Sequence, residues 1–430
     1  MTLNPAVMQA VEKLDYRVTV GDVAAKAGLE VNFAQQGLLA LASDAGGHMQ
    51  VSDVGEIVYL FPRNFRAILR NKHWQLQLKE WWEKVWKILF YLIRISFGIV
   101  LIAAIAIMAI AILIILSSRD NNDNSSGDRG GGGIIFIPSF WDMFWVLDPG
   151  YNSNRYHSRQ RSSGTSESGK PMNFLEAIFS FLFGDGNPNL NLEERRWQTI
   201  GTVIRNHGGA VVAQQIAPYL DNINAYNDEN EDYILPVLAR FNGYPQVSPQ
   251  GDIVYYFPEL QVTARQAEQQ SIGAYLREKL WRFSEAGSGQ IALAIGLGVL
   301  QFFLAVILGL LLQDYAIARG FIGFVSAIYG LLLGYATGFL AIPSIRYFWI
   351  QWRNNRLKER NQKREARAAL LANADNQLQN KIAYARQFAA QKVISDADIT
   401  YSTEKDLLEQ EIERSDKIDE EWRRRLESGS

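Results

Sequence analysis

The sequence predicts a mainly α-helical membrane protein that carries two copies of one small α+β unit. Three observations predict it. Residues 95–116, 291–312 and 321–342 are each 22 residues long and hold no Asp, Glu, Lys or Arg. As a helix each would span about 33 Å, enough for a hydrocarbon core about 30 Å thick. The segment GHMQVSDVGEIVYLFP, Gly47 to Pro62, returns as GYPQVSPQGDIVYYFP, Gly243 to Pro258, with ten of sixteen residues shared at an offset of 196. Basic and Trp-rich stretches border the apolar runs, as side chains at a headgroup boundary do.

With 430 residues the chain has room for two or three domains. Its net charge of −2 is an average over strongly segregated stretches. Cysteine is absent, which excludes disulfides, thiolate nucleophiles and Cys-held zinc or iron–sulfur sites. The start, MTLNPAVMQAVEKLDYR, has no early apolar core, so the first membrane signal expected is the one near residue 95. His48, His73, His157 and His207 are scattered, the GGGG run lacks the Lys-Ser/Thr of a P-loop, and no paired carboxylates stand out. The expectation is a protein that is not an enzyme, with no catalytic, cofactor-binding or metal site.

Residues 1–62 are the first unit. VMQAVEKLDYR and GDVAAKAGL read as short helices, the second opened by Asp22 as N-cap. NFAQQGLLALASDAGG adds a third helix, with apolar Phe33, Leu38, Leu39 and Leu41 and a Gly pair suited to a helix C-terminus. HMQVSDVGEIVYLFP is a hairpin turning at residues 52–55, and Pro62 ends it because it cannot donate to a ladder. Three helices followed by a two-stranded wing is the winged-helix pattern.

The second unit lies in residues 172–265. It is preceded by an amphipathic helix, MNFLEAIFSFLFGDGNPN, expected to pack on the membrane surface or on the unit itself. Its order repeats the first: NLEERRWQTIGTVIRN with Asn191 and Glu194 at capping-box spacing, VAQQIAPYL, EDYILPVLARFNG, then the wing. Pro236 requires its helix to begin close by. At the same offset Leu38, Leu39 and Leu41 fall on Ile234, Leu235 and Val237. Duplication of a whole unit explains the repeated segment.

A winged helix that reads DNA needs basic side chains facing phosphate. Residues 1–62 hold three basic and seven acidic residues, and residues 193–258 hold four and eight. The third helices are expected to present Asn32, Gln35 and Gln36 in one copy and Glu229, Glu231 and Asp232 in the other. Such surfaces repel phosphate, so nucleic acid is the disfavoured partner. The leading expectation is a membrane-anchored tandem winged-helix scaffold or assembly factor acting on protein partners. Its rival is a membrane-tethered transcription regulator that binds DNA through the same units.

Residues 63–94 hold eight basic and two acidic residues, with Trp74, Trp81, Trp82 and Trp86 interleaved. They read as a helix at the membrane interface, with lipid as partner, leading into a first span at 95–117. Residues 118–171 read as a flexible linker. It contains an apolar segment, 134–147, too short to cross as a helix and suited to a re-entrant or interfacial course. A membrane-proximal helix is expected at 266–290, and spans at 291–312 and 321–342 form a hairpin. Along the last, Ser326, Gly330, Gly334 and Gly338 recur every four residues and would let another backbone approach, from the second span or from another subunit of a homo-oligomer. Gln301 alone is strongly polar in the second span, less than a transport path needs. Residues 343–430 are a basic, then mixed-charge, helical tail. Basic flanks put both the N-terminal unit and the tail in the cytoplasm, yet three spans would part them. Either 134–147 returns the chain through the membrane, the preferred reading despite Pro138 and Asp142, or the second unit lies across the membrane from the first.

FLEAIFSFLFGDGNPNLNLEERRWQTIGTVIRNHGGAVVAQQIAPYLD and PQVSPQGDIVYYFPELQ carry a resemblance. The chain resembles an uncharacterised membrane protein family shared by cyanobacteria and chloroplasts, over most of residues 134–350. Plant members are loosely labelled iron–sulfur cluster biosynthesis proteins; this chain has no thiolate to hold a cluster. The resemblance implies a photosynthetic setting, in a cyanobacterial thylakoid or plasma membrane.

Overall fold

A computed structural model describes residues 4–72, 74–120, 172–221, 223, 231–265, 270–313, 320–412, 415 and 422–423. The chain forms two compact units. One is built from Met1–Glu80, Asn189–Lys279 and Arg356–Ser430; the other from Trp81–Pro188 and Leu280–Asn355. The segment 134–147 lies outside the described residues.

In the three-segment unit, α1 (Pro5–Lys13) opens on Asn4, whose side chain accepts from the Ala6 amide. β1 (Arg17–Thr19) runs into α2 (Val20–Ala27), followed by α3 (Val31–Ala45), β2 (His48–Ser52), β3 (Ile57–Leu60) and α4 (Phe65–Lys72). The N-cap of α2 is Thr19, not Asp22: Asp22 is the third helical residue and returns a bond to the Thr19 amide in a capping box. The three strands pair antiparallel in the order β1-β3-β2.

The second repeat has the same order. It comprises α7 (Leu192–Asn206), β4 (Ala210–Val211), α8 (Ala213–Ile216), α9 (Leu235–Phe241), β5 (Tyr244–Val247) and β6 (Ile253–Tyr256), with its sheet ordered β4-β6-β5. Asn191 does cap α7, but at ψ 28 its side chain makes no cap bond, so the expected capping box does not form. Pro236 sits in the first turn of α9, where its missing N–H costs nothing. Short α10 (Pro258–Gln261) and β7 (Val262–Thr263) follow.

The two repeats share one apolar core, with Val11, Leu38 and Phe65 of the first joined to Ile200, Val237 and Phe257 of the second. α2 and α7 cross closely because small residues line the seam. A Cβ at Gly201 would lie 2.9 Å from the Ala25 Cα; α2 also meets the helix Pro258–Gln261 closely, where a Cβ at Gly21 would strike the Glu259 carbonyl.

The tail departs from the expected helix. After α13 (Asn376–Ala385), β8 (Lys392–Val393) pairs parallel with β7, and β9 (Ile399–Ser402) pairs antiparallel with β2. The acceptors of these strands lie far away in sequence, so no local periodicity announces them.

Nor is 266–290 a helix: the described residues from 270 to Gly287 have no regular structure. Their main chain is held by asparagines, each of which both donates to and accepts from one residue. In this unit Asn361 does so to Glu278 (2.9 Å each way) and Asn189 to Lys279 (2.7 and 2.8 Å). In the other unit Asn354 does so to Trp281.

The second unit holds α5 (Trp74–Asp120, from Trp81), α6 (Phe174–Phe183), α11 (Ser288–Gln313) and α12 (Gly320–Ala372, as far as Asn355). Among the described residues, three helices are long and apolar enough to cross a membrane: Lys84–Ser118 within α5, α11 and α12. α6 packs on them, with Ile178 and Phe181 against Leu101, Ala294 and Phe339. Arg346 donates to the Ser180 and Phe181 carbonyls at the end of α6, at 3.1 and 2.9 Å.

Candidate functional site

The chemistry of the three-segment unit concentrates where the repeats meet the tail. Asp22, its side chain 4% exposed, accepts four hydrogen bonds. Oδ2 takes the Thr19 and Ala264 amides at 2.9 and 3.0 Å; Oδ1 takes Arg205 at 2.6 Å and Thr263 Oγ1 at 2.9 Å. Arg17 donates to the Ala264 and Ile394 carbonyls at 2.5 and 2.8 Å and pairs with Asp396, so it ties the first repeat to the tail.

Further ion pairs bind the tail to the second repeat and to the segment that follows it. Lys381 of α13 pairs with Glu231, whose other oxygen accepts from Tyr255 Oη at 3.0 Å. Burial, then the Glu231 carboxylate, push the Tyr255 phenol upward, so it stays a donor. Arg364, 1% exposed, meets Glu278 at 3.0 Å, the Leu276 carbonyl at 2.7 Å and Asp221. Charges so buried are tolerated only when paired. Glu231 was expected on an exposed reading face; it is instead an interior counter-ion, because Lys381 arrives from the tail. Asp232 is exposed, and Glu229 lies outside the described residues.

A cavity of about 590 Å³ opens beside this junction. Its cations Lys13, Arg17, Lys26, Arg205 and Arg265 outnumber Asp15 and Asp22. Lys13, Lys26 and Arg205 stand in the last turns of α1, α2 and α7, where the helix dipole favours a cation. Arg265 pairs with Asp15 at 2.6 Å.

The third helices carry no free cation outward. α3 exposes Asn32, Phe33, Gln35, Gln36 and Leu39; α9 exposes Leu235, Pro236 and Ala239. Arg240 is engaged, donating to the Gly28 carbonyl at 2.6 Å and lying 4.1 Å from the Trp197 ring centre. Among the described residues no group of His, Asp and Glu could hold a metal ion. His207 sits at the end of α7 with Nδ1 2.8 Å from the Val203 carbonyl, and His48 starts β2. His73 and His157 lie outside the described residues.

Trp81, Trp82 and Trp86 are exposed on α5; Trp74 begins that helix. Along α12, Ser326, Gly330 and Gly334 are exposed and Gly338 is half-buried. A Cβ added at Gly330 or Gly334 would meet nothing within 4 Å, so α11 is not the neighbour of this row. The close approaches lie elsewhere: Gly298 receives Phe339, 2.5 Å from where its Cβ would be, and Gly309 receives Tyr329. An aromatic on one span opposite a glycine on the other is a signal visible only once the helices are paired. Gln301 is fully buried, and neither amide atom has a partner.

An Arabidopsis thaliana protein described as "Uncharacterized protein At5g03900, chloroplastic" is 40% identical to this chain over 438 residues, covering 97% of the chain and 81% of the relative. No family model matches. No solved structure matches either.

Proposed function

The chain belongs to the family of that chloroplastic Arabidopsis protein, and from this premise we propose a scaffold or assembly factor of a photosynthetic membrane that works through protein–protein contacts. The observation that carries the reading is the pair of third helices. The element order of both repeats supports reading them as tandem winged-helix units, yet α3 turns out amides and apolar groups and the one arginine of α9 is already stacked and bonded. Phosphodiester recognition needs the opposite surface. Three apolar helices support anchorage in a bilayer, and a chloroplastic relative fits the thylakoid.

All three segments of the first unit face the same side of that bilayer in this reading. A body whose core and sheet draw on the N-terminal segment, the middle segment and the tail cannot straddle about 30 Å of hydrocarbon.

The test uses the full-length chain in detergent. Affinity capture after cross-linking in intact membranes is expected to return a defined partner set absent from an unrelated membrane bait. Gel retardation should show no DNA binding between 50 and 200 mM salt, a range over which a phosphate-binding protein loses about 10³-fold or more. Salt-steep retardation with no partner set would replace the scaffold with the regulator.

A further inference from the structure

We propose that the β2 edge of the first repeat is a strand-accepting surface for an extended segment of a partner polypeptide, and that β9 fills it in cis. This rests on the scaffold reading and names the surface through which it would act. The internal repeat supplies the argument. Ser52 N bonds to the Glu56 carbonyl, so residues 48, 50 and 52 turn their main chain toward β3 while Met49, Val51 and Asp53 turn theirs to the open edge. The tail uses that edge. Asp53 N donates to the Asp398 carbonyl at 3.0 Å, Thr403 N donates to the Met49 carbonyl at 3.0 Å, and Met49 N donates to Thr403 Oγ1 at 2.9 Å.

In the second repeat the same three positions are Pro245, Val247 and Pro249. Ser248 N bonds to the Asp252 carbonyl, so the facing is identical. Two of three outward amides are therefore missing, one in β5 and one two residues past its end, and proline blunts that edge against an incoming strand. One copy is blunted by its own sequence; the other keeps every outward donor and relies on a removable strand.

That strand is lightly held. It is four residues long, its Thr400 and Tyr401 side chains are exposed, and a register shift between Val51 and Ser52 interrupts its ladder. Its own side chains are held at the two ends: Ile399 packs by Val58 and Ile394, and Ser402 is buried, its main chain bonded in both directions by the Gln410 side chain at 2.9 and 2.7 Å. The partner segment that fits is extended and antiparallel to β2, has no proline opposite Met49 or Val51, and carries an aliphatic residue followed three places on by a small hydroxyl. Main-chain bonds supply affinity and these two positions supply selectivity.

The probe is a fluorescent peptide with the sequence of residues 396–404, titrated against the full-length chain in detergent. Tyr401→Pro, which weakens the resident strand, is expected to bind it at least tenfold more tightly than the wild type. Adding Met49→Pro and Asp53→Pro, the residues of the second repeat, is expected to abolish binding. Hydrogen exchange on the wild type gives an independent reading should Tyr401→Pro not fold: β9 amides should exchange at least tenfold faster than those of β3. Equal binding with and without the two prolines, no gain from Tyr401→Pro, exchange of β9 only together with β3, or a dimer joined by swapped β9 strands would each overturn the proposal. If membrane capture still returns its partner set with the two prolines in place, the scaffold reading stands and this surface is not its route.

Discussion

Asp22 joins three parts of the chain through one carboxylate, and its removal is the sharpest test of the junction. Asp22→Ala strands Arg205, whose side chain is largely buried, and leaves the Thr19 and Ala264 amides unmet. Breaking one side of a buried pair costs about 3–5 kcal/mol, so thermal unfolding in detergent should show a large loss, with Asp22→Asn less severe. Glu259 gives a pH test of opposite kind. Burial, and then the Glu56 charge, raise its carboxyl above the ordinary range. A raised folded value favours the protonated form, so this contribution is full at low pH and is lost as pH rises through the raised value. Glu259→Gln should therefore flatten the decline in melting temperature above about pH 4.5. Of these residues the sequence marked Asp22 for a helix start and was one turn off. It could not mark Glu231 as buried, because burial depends on Lys381, 150 residues away.

Among the elements, the seam between α2 and α7 and the face of α12 make opposite predictions for one kind of substitution. Gly201→Ala would push a methyl to 2.9 Å from the Ala25 backbone, and overpacking of this kind costs about 1–3 kcal/mol. Gly334→Ala meets open space and should leave stability within about 0.5 kcal/mol of wild type. Melting curves of the two variants check both. If the exposed row serves a homo-oligomer, Gly334→Leu should lower self-association in cross-linking while the monomer's melting temperature holds. The helices themselves were legible: apolar runs marked α5, α11 and α12, and Pro236 marked the first turn of α9. The 266–290 stretch misled because its apolar and charged residues look helical, whereas Asn189, Asn354 and Asn361 capture its main chain from outside. The strand edge was half-legible. Pro245 and Pro249 stand in the repeat alignment opposite Met49 and Asp53, but their meaning waits on knowing which way each amide faces.

For the whole molecule, the absence of cysteine makes the sidedness reading directly measurable. Val54→Cys, Leu190→Cys and Leu407→Cys each place one thiol at an exposed position, one in each segment of the first unit. In sealed vesicles an impermeant maleimide should label all three or none; a split result would refute a one-sided body. Sequence alone determined the three apolar helices and the duplicated order of elements, because hydrophobic period acts within a few residues. Tertiary structure decided that the tail supplies a strand, that the acidic residue before α9 is an internal counter-ion, and that the glycine row is unmatched by α11. Each depends on which distant donor, cation or aromatic ring arrives to satisfy a group, and strand edges and buried charges take their energy from that partner rather than from their neighbours in the chain.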